Sequence, residues 1–259
     1  MIKNQNKLIN NIDMFTIKTL PHSVMLLGEL GAGHEDVCSY IANKFNLWPC
    51  DITEFINIDY ISEIQYSSTP TLYYINVSKI SEKEQNILLK LYEEPSKFAY
   101  IVLNCFSDDL IIDPIKNRSY TLKMDAYKRD YLSTLVTDKN NIDIILDVCT
   151  TPGQIEIANR TDMTSLDKLC STIISSIGAS NYQNALSIAN KINFSDKYDK
   201  FDLNLFIKVL KNKILLSEFN NKQMIYSDLN TVSKYILSMN NKQQYFENFL
   251  TKMWVNSRS

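Results

Sequence analysis

The residues best placed to do chemistry lie in one stretch, GELGAGHED, from Gly28 to Asp36. Gly28, Gly31 and Gly33 are three of only five glycines in the 259-residue chain, and they fall within six positions. Glycine permits positive φ and close backbone approach, so such a cluster marks a loop of demanding geometry. The spacing Gly28-x4-Gly33 is that of a loop whose backbone N–H groups cradle phosphates. That chemistry also needs a Lys to reach the β and γ phosphates and a Ser or Thr hydroxyl to ligate Mg²⁺. Here His34 and Glu35 occupy those two positions. A histidine reaches less far than a lysine and, at a reference pKa of about 6.5, is mostly neutral at pH 7. Glu35, with Asp36 and Glu29 close in sequence, works against an anion. A carboxylate ~4 Å from a phosphate opposes it by about 1 kcal/mol in water and ~4 kcal/mol near a protein surface. Glu35 and Asp36 also suit a helix N-terminus, where each stabilises by roughly 0.3–1 kcal/mol through the macrodipole. Both readings predict an empty or weak nucleotide site.

The elements around this loop must hold it in place. Val24 to Leu27 is a short apolar run suited to a buried parallel strand, and HEDVCSYIANKF follows with Val37, Ile41 and Phe45 at helical spacing. Hydrolysis would further require an acid at the end of a second buried strand, to hold metal and position water. The candidate strand, Leu72 to Val77, ends in Ile75 and Asn76 without an Asp or Glu. Both halves of a hydrolytic site are therefore missing, and neither a bound cofactor nor a metal site is expected.

With 45% hydrophobic residues the chain can bury a sizeable core, and 27 basic against 29 acidic residues give a net charge of -2. No global field draws it onto nucleic acid or an anionic membrane. Five scattered cysteines with no CxxC pair fit buried thiols in a reducing compartment, and no apolar run approaches the ~20 residues of a membrane span. A cytoplasmic setting follows. Only His22 and His34 are present, leaving little material for a histidine metal site or a Ser-His-Asp triad.

All six prolines lie at or before Pro152, and after Gly153 the one remaining glycine is Gly178. The chain thus has two regimes. The first alternates apolar runs (VMLLG, TLYYINV, AYIVLNC) with helical patterns, as strands with crossover helices do. The second reads as all helix, with stripes at Leu166, Leu169, Cys170, Ile173, Ile174 and Ile177, at Tyr235, Ile236 and Met239, and from Phe246 to Trp254.

Ser81 and Glu84 form a capping-box signature, Ile87, Leu88 and Leu91 an apolar stripe, and Pro95 a stop. Within that helix the run QNILLKLYEEP, Gln85 to Pro95, resembles the QNALLKTLEEP segment of bacterial clamp-loader subunits, the AAA+ family that includes the delta-prime and gamma/tau subunits of DNA polymerase III. In the family's order around it, LPHSVMLLGELGAG resembles the opening strand and P-loop, AYIVLNC the sensor-1 strand, and LIIDPIKNRSYTL the segment with a Ser-Arg-Cys motif. CTTPGQIEIA is similar to the lid's Gly-Ser-Pro-Gly turn, with Gln154 near the sensor-2 Arg position. The resemblance covers residues 20 to 158.

The resemblance implies an α/β AAA+ P-loop-like domain with a parallel sheet over residues 1–122, a small helical lid over 123–162 and an all-α collar over 163–259. The loop at Gly28, Gly31, Gly33 and His34 would be a degenerate P-loop, and Cys105 would stand at or beside the sensor-1 position. These departures resemble the ATP-inactive delta-prime type more than gamma/tau. Arg118 in KNRS matches the Arg of Ser-Arg-Cys, although Asn117 and Ser119 replace its neighbours. By resemblance it acts in trans as an arginine finger on the ATP of an adjacent subunit, where a planar guanidinium stabilises the transferring phosphoryl. Otherwise it is a solvated arginine beside Lys116. Gamma/tau and delta subunits would be partners, with the sliding clamp and primer-template DNA met indirectly. Two other readings stay open: a P-loop NTPase or nucleotide kinase with an atypical loop, and a helical interaction module unconnected with replication.

Overall fold

The computed structural model describes residues 3–179, 181–190, 192, 201–238 and 241–258. The chain divides into two compact units, Met1–Lys128 with Thr151–Gly153, and Arg129–Thr150 with Gln154–Ser259.

In the first unit five parallel strands form one sheet in the order β2-β3-β4-β1-β5. They are β1 (Ser23–Leu27), β2 (Trp48–Asp51), β3 (Thr71–Asn76), β4 (Ala99–Cys105) and β5 (Tyr120–Lys123). Apolar content follows position. Every residue of β4, with a strand on each side, is buried, whereas the edge strands β2 and β5 are mostly exposed. Strand side chains alternate between faces, so the runs that look uniformly apolar divide into two cores. Val24, Leu26, Leu72, Tyr100 and Val102 pack on one face with residues of α1 (Asn6–Asp13) and α2 (His34–Phe45). Met25, Tyr73, Ile75, Ile101 and Leu103 pack on the other with α3 (Ile58–Gln65), α4 (Glu82–Glu93) and the short α5 (Asp113–Lys116).

The ends of these helices are fixed locally. At α4 the Ser81 hydroxyl accepts from the Glu84 N–H at 3.3 Å while Glu84 accepts from the Ser81 N–H at 2.7 Å. α2 starts after Gly33 in the left-handed region (φ 89°) and ends at Asn46, also left-handed. α1 is tied to the far end of the unit, where the Asp125 carboxylate accepts from the N–H groups of Lys7 and Leu8.

Beyond β5 every described element is helical. α6 (Arg129–Leu135), α7 (Ile142–Val148), α8 (Pro152–Arg160), α9 (Met163–Gly178), α10 (Tyr182–Ala189), α11 (Leu203–Leu216), α12 (Lys222–Ser238) and α13 (Lys242–Asn256) follow in order. The stripe on α9 is buried at Leu166, Cys170, Ile173 and Ile177, and α13 buries Phe246, Phe249, Leu250 and Met253. Phe246 meets Phe206 of α11 edge-on at 5.5 Å. The side chains of Tyr235, Ile236 and Met239 lie outside the described residues. No helix among the described residues is long and apolar enough to cross a membrane.

Candidate functional site

Register brings one set of expected residues together. Leu27, where β1 runs into the Gly28 loop, pairs with Cys105, and Asn76 at the end of β3 pairs with Asn104. The glycine loop, Asn76, Asn104 and Cys105 therefore share the carboxyl edge of the sheet.

Each glycine has a reason. A Cβ on Gly28 would come within 2.8 Å of Met124 side-chain atoms, and Gly31 and Gly33 hold φ near 80° and 89°. Three consecutive carbonyls of the loop are occupied from within the unit. Leu30 O accepts from the Thr151 hydroxyl at 2.8 Å, Gly31 O from the Gly153 N–H at 3.0 Å, and Ala32 O from the Tyr127 hydroxyl at 2.8 Å. Two loop amides are committed as well, Gly28 N–H to Cys105 O and Ala32 N–H to Glu29 O. The loop is thus braced by its own chain.

His34 is buried as the first residue of α2 and packs edge-on against Phe106 at 5.3 Å. Its Nε2 has no hydrogen-bond partner among the described residues. Burial pushes its pKa down, with a hydrogen bond to the Cys105 backbone opposing in part, so the ring is held neutral. The residues here do not suit a triphosphate: the group at the lysine position is neutral and buried, and the acids nearest it in the sequence, Glu29, Glu35 and Asp36, are exposed. The one favourable feature is the amino end of α2, which no side chain caps.

Nor do the neighbouring strand ends supply metal-organising groups. The Asn76 carboxamide accepts from the N–H and hydroxyl of Ser78. Cys105 is fully buried, its thiol donating to Ser107 O at 2.8 Å and its pKa raised by burial. Two further residues of this edge were not anticipated. Asn104, only 5% exposed, accepts from the Cys38 thiol at 3.4 Å, and its place as the one amide in an apolar run was the available signal. Asp51, at the end of β2, is the nearest strand-end acid to the vacant position but is engaged by the N–H and hydroxyl of Thr53. In the second unit Gln154 accepts from the N–H of Thr150 at 2.9 Å.

Arg118 is at the opposite edge. It precedes β5, whose first residue, Tyr120, pairs with Val24 near the start of β1. The length of β1, ~16 Å at about 3.3 Å per residue, separates that edge from the loop. Arg118 is exposed, and its guanidinium donates to Pro114 O at 3.0 Å. Gln85, from the family-like run, sets this segment in place: it donates to Leu110 O at 2.8 Å and accepts from Ile112 N–H at 3.0 Å, immediately before α5.

No protein-family model matches the sequence. No curated protein matches it either. Among solved structures the chain is similar to a DNA polymerase III gamma subunit-related protein from Thermotoga maritima, at 17% identity and a TM-score of 0.51, with 99% of this chain and all of that one covered. It is similar more loosely to the Thermotoga maritima RuvB Holliday junction branch migration motor, at 13% identity and a TM-score of 0.45 over 91% of this chain and 76% of that one, too loose to argue from. What the likeness establishes is a fold: a five-stranded parallel sheet with helices, followed by a mostly helical region.

Proposed function

We propose that the chain is a non-hydrolysing, delta-prime-like subunit of a replicative sliding-clamp loader. It scaffolds a ring-shaped complex with gamma/tau-type and delta-type subunits and presents Arg118 as an arginine finger to the ATP of a neighbour. Residues 1–122, 123–162 and 163–259 would be its AAA+ domain, lid and collar. The observation that carries this reading is the contrast between the sheet's two edges. At the loop edge a neutral, buried His34 stands where a lysine is needed, and the loop carbonyls are held by Thr151, Gly153 and Tyr127. At the other edge Arg118 is exposed and too far from its own loop to serve it, so any phosphate it meets belongs to another molecule. The fold likeness to a protein described as DNA polymerase III gamma subunit-related supports the same context.

Reconstitution with the cognate clamp-loader subunits tests the proposal. A stable complex is expected, and Arg118→Ala should lower its ATPase rate about 10³-fold or more at the affected site, the usual range for loss of an arginine finger. Failure to assemble, or an undiminished rate in the variant complex, would sink the reading.

The uncapped amino end of α2, together with the left-handed Gly31 and Gly33, favours a second reading: an NTPase or nucleotide kinase with an atypical loop. Equilibrium dialysis of the isolated chain with ATP and Mg²⁺ decides between them. Micromolar binding weakened by changes at Gly33 or His34 supports the enzyme.

A further inference from the structure

Beside Arg118, at the amino ends of β1, β4 and β5, the first unit holds an open cavity of about 370 Å³. Small-ligand sites span roughly 300–1,000 Å³. Pro21, Leu91, Pro95 and Tyr120 give it apolar walls. No Asp or Glu is among the residues that line it, and Arg118 is the one permanently charged residue there. A guanidinium has five N–H donors in a planar fork. One of its nitrogens is engaged by Pro114 O, which leaves the others without a protein partner among the described residues.

Five of the lining residues carry hydroxyls, Ser23, Tyr92, Ser96, Ser119 and Tyr120. Ser119 donates to Ile115 O at 2.9 Å, and Ser23 lies 2.9 Å from Ser119 and 3.0 Å from the hydroxyl of the partly buried Tyr92. The Ser23 hydroxyl donates to the Tyr92 oxygen, so the phenol proton is left for an acceptor in the cavity. Burial raises the Tyr92 pKa, which keeps the phenol protonated and able to donate.

We propose that this cavity binds an organic anion, a carboxylate or phosphate monoester on a flat apolar stem, with the Arg118 guanidinium on the anionic head and the Tyr92 hydroxyl on one of its oxygens. Bidentate recognition of either head suits a guanidinium. The site is complete within one chain and stands whether or not Arg118 acts on a neighbour. The same chemistry could arrive as a free small molecule or as the C-terminal carboxylate of a partner polypeptide.

Benzoate and phenyl phosphate titrated into the isotope-labelled full chain, followed by amide chemical shifts, test the proposal. Saturable binding at millimolar or tighter affinity is expected, with shifts centred on Ser96, Asn117, Arg118 and Ser119. Arg118→Gln changes an exposed residue and should weaken binding about tenfold, and Tyr92→Phe roughly threefold or more. Benzyl alcohol should not compete. No saturation by about 10 mM, or affinity indifferent to Arg118→Gln, overturns the proposal. A short peptide ending in a free phenylalanine carboxylate distinguishes the sources. Tighter binding than benzoate, lost on amidation, assigns the site to a partner's terminus, and binding no tighter assigns it to free anions. An Arg118 variant that loses benzoate yet leaves a reconstituted ATPase unchanged would uphold the cavity and remove the finger.

Discussion

The two edges of one sheet have opposite characters. At the carboxyl edge the glycine loop is closed in: Gly28 is pressed against Met124, three of its carbonyls are bonded within the unit, and His34 is buried and neutral. At the amino edge Arg118 and an adjoining cavity are open to solvent, set in place by Gln85 through the backbone of Leu110 and Ile112. A phosphate loop that works must leave its amides free and bring a cation to them. The Gly28 loop has three carbonyls and two amides bonded within the unit and a buried His34 in place of a cation. Arg118 lies at the other edge, a strand's length from that loop.

The largest expected effect comes from unlocking the closed edge. A Cβ on Gly153 would sit 2.7 Å from the Gly31 Cα, a backbone atom that cannot swing aside. Gly153→Ala should therefore lower the thermal unfolding midpoint by roughly 4–8 °C, as overpacking of about 2 kcal/mol does in a chain of this size. Gly178→Ala is the matched control, because its Cβ would meet a Phe219 ring carbon at 3.6 Å, ordinary contact distance. Equal losses in the two variants would remove the case for a braced loop.

Next is the open edge. Gln85→Met keeps the side-chain length but strands Leu110 O and the Ile112 N–H, both in a part-buried setting. A loss of about 1–3 kcal/mol in chemical denaturation is expected, with faster hydrogen exchange at Ile112. If stability falls while exchange at Ile112 is unchanged, Gln85 acts through the core alone and does not position the Arg118 segment.

A smaller effect tests the charge state of the loop. Burial lowers the His34 pKa below its unfolded value near 6.5, so the unfolded chain binds the extra proton first as pH falls. Stability should then drop as pH decreases below about 6.5 and level off below the folded pKa, with this residue contributing at most ~1.4 kcal/mol per pH unit. Denaturation midpoints from pH 7 to 5 should fall less steeply in His34→Gln. An identical slope would mean that the ring is solvated and able to carry charge toward a phosphate.

Much of the closed edge was legible in the sequence, because strand β1, the glycine spacing and helix α2 are contiguous and each has its own periodic or turn signal. β3 and β4 were legible for the same reason: their buried apolar runs stand out. β2 and β5 were not, since WPCD and YTLK are short edge strands that expose most of their side chains. Sequence reading did identify the missing lysine and strand-end acid, but not the braces on the loop. Tyr127 and Thr151 lie 95 and 121 positions from the carbonyls they bind, and no local pattern encodes such pairs. The distance between Arg118 and the loop was likewise hidden. It follows from strand order, which puts β5 beside β1, and strand order is a property of the folded sheet.

The smallest expected effect bears most directly on what the open edge is for. Within its own chain Arg118 is exposed, makes one hydrogen bond to Pro114 O and has no ion pair among the described residues. Exposed substitutions of this kind change stability by less than about 0.5 kcal/mol. Arg118→Ala should therefore leave the denaturation midpoint of the isolated chain where it was. A residue kept for the fold would show its loss here, in the absence of any partner or ligand. If the variant is destabilised by more than about 1 kcal/mol, the guanidinium is part of the local scaffold of α5, and a drop in partner ATPase or in anion binding could no longer be read as loss of a direct contact. If stability is unchanged, such a drop reports contact with a second molecule, and the contrast between the two edges becomes one between a side that serves the fold and a side that serves another molecule.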